Sequence, residues 1–421
     1  MSVWRRILLA GVLMGAGSVS SAMAEGLTWQ DCLKEAVGNH PDLIAAQEGV
    51  VQGQAAKAIV SSSALPQVTA NLNSATSRTG TSGSSNSFDY GISGTQLVFD
   101  GFKTINNIKS AAESVKAAKE SFKFTSTTVR FRLRTAFVDL LKAQELVKLT
   151  QEIYDIRKRD LDLITLRYRS GTEHKGALLT AQANLSQASF EINQAKRGLE
   201  TAQVQLSKEM GRKEFLPITV TSGLAVSDAV LQKPDLEAIA QNNPAILKIN
   251  AQVNAASFDV NASQGDFWPV LSLTGGISKT GSSWPPGQKD TTGGVRVSLP
   301  LFEGWARFAQ VARSKSIYRQ LQEEERSIKD GIVLALEQTW NGLQDAVESV
   351  QVQNDFLNAA AERAKIAEQQ YSVGLITYDN WTIIEDDLVS SKKTFLNTQT
   401  NALLAEANWI QAKGETLENE N

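Results

Sequence analysis

Cysteine occurs once in the 421 residues, at Cys32, and histidine only twice, at His40 and His174. One thiol can close no intrachain disulfide and build no thiolate zinc site. Two histidines more than 130 residues apart are a thin basis for acid–base chemistry. A basic surplus is missing too: 42 Lys and Arg stand against 45 Asp and Glu. Nothing in that balance meets the phosphates of a nucleic acid, which is excluded as a partner. The chain also lacks a Gly-rich phosphate loop, a nucleophile elbow and any His/carboxylate metal spacing. An enzyme and a bound cofactor are therefore not expected. At 42% hydrophobic and 21% charged residues, the chain is too polar for a polytopic helical membrane protein and too apolar for a disordered one.

Long hydrophobic runs are lacking as well. The candidate run, from Ile7 to Ala16, is too short to span a bilayer. It follows Arg5 and Arg6 and precedes Ala22-Met23-Ala24, so residues 1–24 read as a signal peptide cleaved after Ala24. No small-residue lipobox precedes Cys32, which reads as a buried helix thiol.

Proline is absent from residues 67–216 and 301–421, and glycine from the stretch between Phe102 and Ser170. With both helix breakers gone, Lys103 to Tyr168 is expected to be one helix of roughly 100 Å. Leu146, Leu149, Ile153, Ile156 and Leu163 step close to the 3.5-residue period of a coiled-coil seam. Shorter helical stretches are expected near 28–63 and 175–210. Segment 175–210 followed by 235–264, end to end, could run beside a long helix.

What is present in abundance is self-similarity. At a constant offset of 203 residues, Asn39 matches Asn242, Pro41 Pro244, Pro66 Pro269, Phe99 Phe302, Gly101 Gly304, Tyr168 Tyr371, Gly171 Gly374 and Gly211 Gly414. The domain plan that follows is a first repeat over 25–211, an equatorial linker over 212–234, a second repeat over 235–414 and a tail over 415–421.

Two pieces per repeat switch to period two. Val68, Ala70 and Leu72 alternate with polar residues, as do Phe88, Tyr90 and Ile92; Leu271, Leu273 and Ile277, then Val295, Val297 and Leu299, repeat the pattern. These are strands with one greasy and one wet face, in hairpins over about 66–100 and 269–302. Phe99, Phe102, Trp268, Phe302 and Trp305 cluster at their ends, where a membrane interface favours aromatics. A membrane β-barrel needs at least about eight strands to close, and one chain offers four. Closure requires several copies, and a hollow conduit favours three or more. The fold class expected is an α+β membrane protein: a long helical coiled-coil barrel continuous with a transmembrane β-barrel built by several copies of a two-fold repeat.

Three sets of paired motifs carry a family resemblance. They are Asn39-His40-Pro41 with Asn242-Asn243-Pro244, Leu97-Val98-Phe99-Asp100-Gly101 with Leu299-Pro300-Leu301-Phe302-Glu303-Gly304, and Arg167-Tyr168-Arg169-Ser170-Gly171 with Gln370-Tyr371-Ser372-Val373-Gly374. Duplicated and in order, they make the mature chain resemble the TolC-like outer-membrane efflux family. The resemblance implies a homotrimer with a twelve-stranded barrel among the lipids of a Gram-negative outer membrane, and a helical barrel reaching across the periplasm. It also implies a periplasmic adaptor and an inner-membrane pump of RND, ABC or MFS type, with helix tips that close the entrance and open like an iris.

The resemblance implies an acidic constriction a few residues after the tip glycine, where clustered carboxylates favour cations. Here the pattern departs: Asn380 and Ile383 follow Gly374, and Ala177 follows Gly171. The constriction candidates are Asp379, Asn380, Glu385, Asp386 and Asp387. The adaptor-contacting tip candidates are Tyr168, Arg169, Ser170, Gly171 and Thr172 in the first repeat, and Tyr371, Ser372, Val373, Gly374 and Leu375 in the second. Tyr168 and Tyr371 are expected to pack between helices rather than touch cargo, and Trp340 to pack helices together. Asp139, Glu145, Glu152 and the run Glu323-Glu324-Glu325-Arg326 read as surface charge. The competing reading is a trimeric periplasmic stalk, anchored in the outer membrane and without an open lumen.

Overall fold

The computed structural model describes residues 25–78, 80, 84–224 and 233–420. The expected signal peptide and part of the expected linker lie outside the described residues. Strand β1 (Glu25–Leu27) leads to helices α1 (Trp29–Asn39) and α2 (Pro41–Ser62), strands β2 (Gln67–Arg78) and β3 (Ser84–Phe99), and helices α3 (Lys103–Arg169) and α4 (Lys175–Glu209). After β4 (Ile218–Val220) comes the same order again: α5 (Leu236–Gln241), α6 (Pro244–Gly265), β5 (Val270–Gly281), β6 (Gln288–Ser298), α7 (Ala306–Ser372) and α8 (Tyr378–Lys413). A short 3-10 turn, Leu417–Glu420, follows. Both α3 and α7 are 67 residues long, about 100 Å at the helical rise. Among the described residues no helix is long and apolar enough to cross a membrane.

The stretch expected as one helix near 28–63 is two. Pro41 has no N–H to donate, so the chain breaks before it, and the His40 ring caps α2 by accepting from Asp42 N at 3.1 Å. Asn243 repeats this before Pro244, accepting from Ala245 N at 3.0 Å.

The expected stacking of 175–210 on 235–264 is also corrected. Helix α4 ends at Gly211, which sits in the left-handed region (φ 78°) against the backbone of Asn39 and His40. Gly414 (φ 79°) ends α8 against Asn243 and Pro244 in the same way. Each short helix therefore stacks on its own repeat: α4 runs into α2, and α8 into α6. Close approach at those glycines is what selects the partner, because a side chain at either would collide with the next helix start. The result is four columns in the order α2/α4, α3, α6/α8, α7.

The largest apolar cluster lies at the α4–α2 junction, where Leu133, Phe137 and Leu140 of α3 meet Cys32, Leu206, Met210 and Ile218. Burial pushes the Cys32 thiol up to about 12, in keeping with the sequence expectation for that residue. Trp340 packs on Trp409, ring centres 5.3 Å apart, in a second cluster between α7 and α8.

The coiled-coil seam differs from the one expected. Ile153 is buried, but Leu163 is exposed, and the buried stripe runs Thr150, Ile153, Arg157, Asp160, Ile164. Its spacing of three and four is that of a heptad seam. Two of its five positions are charged, so a search for apolar residues passes over it.

The four long strands form one antiparallel sheet in the order β2-β3-β5-β6. Its register lines up the two faces across every strand. Ala70, Ile92, Ile277 and Thr291 share one row; Asn73 and Asp89, or Ser278 and Asp290, sit on the opposite face. Val68, Leu72, Ile92, Ile277, Val295 and Val297 are all exposed on the apolar side. At about 3.3 Å per residue and a tilt of about 40°, Leu271 to Gly281 covers roughly 25 Å, the height of an outer-membrane apolar band.

Candidate functional site

The residues singled out in the sequence gather at two ends of the molecule. At one end the sheet turns into the long helices through paired left-handed residues, Gly101 with Phe102 and Gly304 with Trp305. The aromatics expected at the strand ends cluster there. Phe99 packs on Phe102 and Trp268 at 5.4 and 6.5 Å, and Trp305 on Phe302 and Phe308 at 6.4 and 5.5 Å.

At the other end each helix pair turns at a tip. Gly171 (φ 77°) and Gly374 (φ 81°) occupy the left-handed position. Thr172 N reaches back to Arg167 O at 2.9 Å and Leu375 N to Gln370 O at 2.8 Å, so both turns are closed by their own backbone. His174 and Thr377 then cap α4 and α8, accepting from Ala177 N and Asn380 N at 3.1 and 3.4 Å.

The two tips are not equivalent. Tyr168 is exposed, while Tyr371 is buried, stacked on Trp381 at 4.6 Å with Arg167 over its other side at 4.4 Å from the ring centre. The Tyr371 hydroxyl donates to Glu173 Oε2 at 2.8 Å, and burial pushes its pKa up to about 12. Arg167 also donates to the carbonyls of Tyr371 and Ser372, at 3.2 and 2.9 Å, and so ties the first tip to the C-terminus of α7. Tyr371 is thus withdrawn from the tip surface. Arg169, Ser170, Gly171, Thr172, Ser372, Val373, Gly374 and Leu375 are exposed.

The acids of α8 divide by helical face. Asp379, Asn380, Ile383, Asp386 and Asp387 are exposed, whereas Tyr378, Trp381 and Thr382 are buried, and Glu385 turns inward with them. Glu385 accepts from Arg157 Nη1 at 3.0 Å, and Arg157 Nη2 donates to Asp386. Asp387 pairs with Arg363 of α7 at 3.2 Å. Asp379 carries no ion pair among the described residues. Of the acids named from the sequence, two are therefore held by a buried arginine and one by an exposed one.

Asp160 completes the Arg157 cluster. Its Oδ2 is buried without a hydrogen bond, 3.9 Å from Arg157 Nη1. Burial, then the neighbouring Asp160 carboxyl, pushes Glu385 up, to about 9; burial raises Asp160 as well, against the pull of Arg157. The folded chain therefore keeps a proton in this pair that the unfolded chain gives up in the ordinary carboxylate range. The contribution of this pair to stability is fullest below about pH 4 and declines as pH climbs toward 9, because the pair binds more protons in the folded state throughout that window. Glu385→Gln is expected to remove this dependence. The difference in Tm between variant and wild type should grow steadily from pH 5 to pH 9, and a constant difference would show that no proton is held there.

Sequence reasoning missed Arg157 and Trp381, and took Arg167 only as part of the tip motif. The signal available was the charged residue at a seam position: Arg157 lies four residues after Ile153 and seven before Ile164.

The model of the outer membrane efflux protein family matches the chain twice, over residues 32–212 and 236–421. The outer membrane efflux protein BepC of Brucella suis is 24% identical over 414 residues, spanning 97% of this chain and 90% of its own length. A crystal structure of CusC superposes with a TM-score of 0.83 at 17% identity, over 91% of both chains. The open-state MtrE outer membrane channel of Neisseria gonorrhoeae gives 0.82 at 16% identity, over 97% of this chain and 96% of its own. With both halves of the chain matched by the same model, this protein belongs to the outer membrane efflux protein family.

Proposed function

We propose that the chain is one third of a water-filled export conduit of the outer membrane, a homotrimer with a β-barrel in the membrane and a helical barrel in the periplasm. The observation that carries this is a pair of open edges on matching sides of the molecule. Strands β2 and β6 each pair on one side only. Column α2/α4 adjoins the β2 edge and α7 the β6 edge, and both expose apolar residues: Ile44, Val51, Ile59 and Phe190 on one, Leu334, Val352, Phe356 and Ile366 on the other. Unpaired strand edges and greasy helix edges are hazards unless another copy covers them. An antiparallel sheet of four strands presents β2 and β6 in opposite directions, so head-to-tail copies continue it antiparallel and can close it into a ring. The polar face then lines the lumen and the apolar face meets lipid.

The exposed tip residues, from Arg169 to Thr172 and from Ser372 to Leu375 together with Tyr168, are the surface offered to a periplasmic adaptor and, through it, to an inner-membrane pump. BepC and CusC are named for efflux, and this reading extends that role to small molecules or secreted proteins as cargo. The constriction is best assigned to Asp379, Asn380 and Asp387, with Asp386 and Glu385 holding the hairpin through Arg157. The residues 1–24 serve as the leader to the periplasm.

Single-channel recording of the detergent-purified trimer in a planar bilayer tests this. Discrete, long-lived, cation-favouring steps are expected, and Asp379→Asn with Asp387→Asn should lower the cation preference. A verified trimer that stays silent, in acid as at neutral pH, would favour the solid stalk instead. Unchanged selectivity in the double variant would remove those two residues from the constriction.

A further inference from the structure

The charges of the sheet are sorted by face. On the polar face stand Asp89, Asp290 and Arg296; on the apolar face every charge is a cation, Arg78, Lys279 and Lys289. All three lie toward the hairpin end, away from the helices. Lys279 and Lys289 are direct cross-strand partners in the row Leu72, Tyr90, Lys279, Lys289. Both are exposed, and neither has a hydrogen bond or an ion pair among the described residues. Like charges directly opposite each other destabilise a sheet, and a lone ammonium on a lipid-facing wall is costly unless it reaches a headgroup. Trp284 stands over Phe88 and Tyr90 at 6.2 and 5.8 Å, so this row lies in an aromatic belt.

Below the lysines the wall is notched. Two rows down, Gly94, Gly275 and Gly293 stand in register on adjacent strands. A Cβ on Gly293 would meet nothing within 4 Å, and one on Gly275 only Thr292 O at 3.7 Å. Gly94 and Gly275 are themselves part of the wall of a groove of about 790 Å³, which Tyr90, Ile92, Ile277, Lys279 and Lys289 also line. From the lysine row to the glycine row is about 13 Å along the strand, room for a good part of an acyl chain. Paired ammonium groups at the mouth and a bare apolar notch beneath them match an anion carried on hydrocarbon.

We propose that this face binds a phosphorylated glycolipid of the outer leaflet, with a phosphate between Lys279 and Lys289 and an acyl chain in the glycine notch. The proposal rests on reading the sheet as a membrane wall, which puts the hairpin end at the outer surface. Free phosphate would use only the mouth of the groove, and a glycerophospholipid of the inner leaflet would meet the wall at its other end.

The test is native mass spectrometry of the detergent-solubilised full-length protein with three probes: diphosphoryl lipid A, its phosphate-free counterpart, and phosphatidylglycerol. Lipid A is expected to bind at one molecule per chain. Lys279→Gln with Lys289→Gln should weaken it roughly 30-fold, about fivefold for each lysine. Gly275→Val, whose Cβ would meet only Thr292 O at 3.7 Å, should weaken lipid A by filling the notch. Equal binding of phosphatidylglycerol or of the phosphate-free lipid would overturn the assignment, as would undiminished binding by the double Gln variant. The same preparation is recorded in a planar bilayer. A protein that conducts but binds no lipid A defeats this proposal alone; one that does not insert defeats the membrane-wall reading and the proposal with it.

Discussion

Replacing Arg157 by alanine is expected to loosen helix α8 from α3 by about 3–5 kcal/mol, the cost of leaving buried charge without its partner. Arg157 is almost fully buried and faces three carboxyls, those of Asp160, Glu385 and Asp386. The guanidinium cannot be supplied by solvent once the side chain is gone. The Asp160–Glu385 pair already holds one proton; its remaining charge and that of Asp386 must then be neutralised or move apart, and separation moves the second tip away from the first. Two readouts should move together: a lower Tm, and longer or larger conducting steps in the bilayer as the tips part. Lys158→Ala, one residue along on the exposed face, should change neither. Combining Arg157→Ala with Asp160→Asn and Glu385→Gln should recover much of the loss, because the repulsion goes with the charges. A triple variant no better than the single would show that Arg157 acts by packing its stem rather than by charge.

The second large effect is a contrast between two glycines that the sequence presents as equals. Gly101 (φ 67°) and Gly304 (φ 59°) hold the same strand-to-helix turn. A Cβ on Gly101 would run into Gly265 O and lie 2.7 Å from Trp268 Cβ, whereas one on Gly304 would meet nothing within 4 Å. Gly304→Ala should therefore cost only the strain of a left-handed alanine within the protomer, about 1–2 kcal/mol. Gly101→Ala adds a collision with backbone that cannot turn aside, and folded protein should largely be lost. Yield of folded channel and Tm of what remains measure both. Equal losses would mean that Gly304 is as crowded in the assembly as Gly101 is in the chain. That outcome has a definite geometry: 203 residues before Gly265 and Trp268 stand Ser62 and Leu65, at the α2–β2 edge of the next copy in a closed ring.

Much of the architecture was legible because it rests on absences and periods. The gap in proline and glycine between Phe102 and Ser170 delimits α3 to within a residue or two. The strand alternation from Val68 and from Leu271 foretells both faces of the sheet. What was not legible depends on who meets whom. Gly211 was visible as a repeat position, but that it abuts Asn39 and His40, and so stacks α4 on α2, is a matter of three-dimensional closeness. At the tips the limits are sharper. Tyr168 and Tyr371 are equivalent by offset, yet only Tyr371 is buried, because Trp381 and Arg167 enclose it and the first tip has no such pair around Tyr168. Glu385 looked like one more acid beside Asp386 and Asp387. Its helical face turns it toward a charge on a helix more than 200 residues earlier.

The two uncovered edges also bear on inheritance. In the ring of three proposed above no contact is spare: each copy needs its own β2 edge and its neighbour's β6 edge. A chain whose fold is sound but whose one edge is spoiled would still dock by the other and occupy a place in the ring. In a cell making intact and spoiled chains in equal amounts, only about one ring in eight would escape. Edge lesions should thus be dominant, silencing far more export than half the chains lost. Core lesions such as Gly101→Ala, which never yield a docking edge, should be recessive.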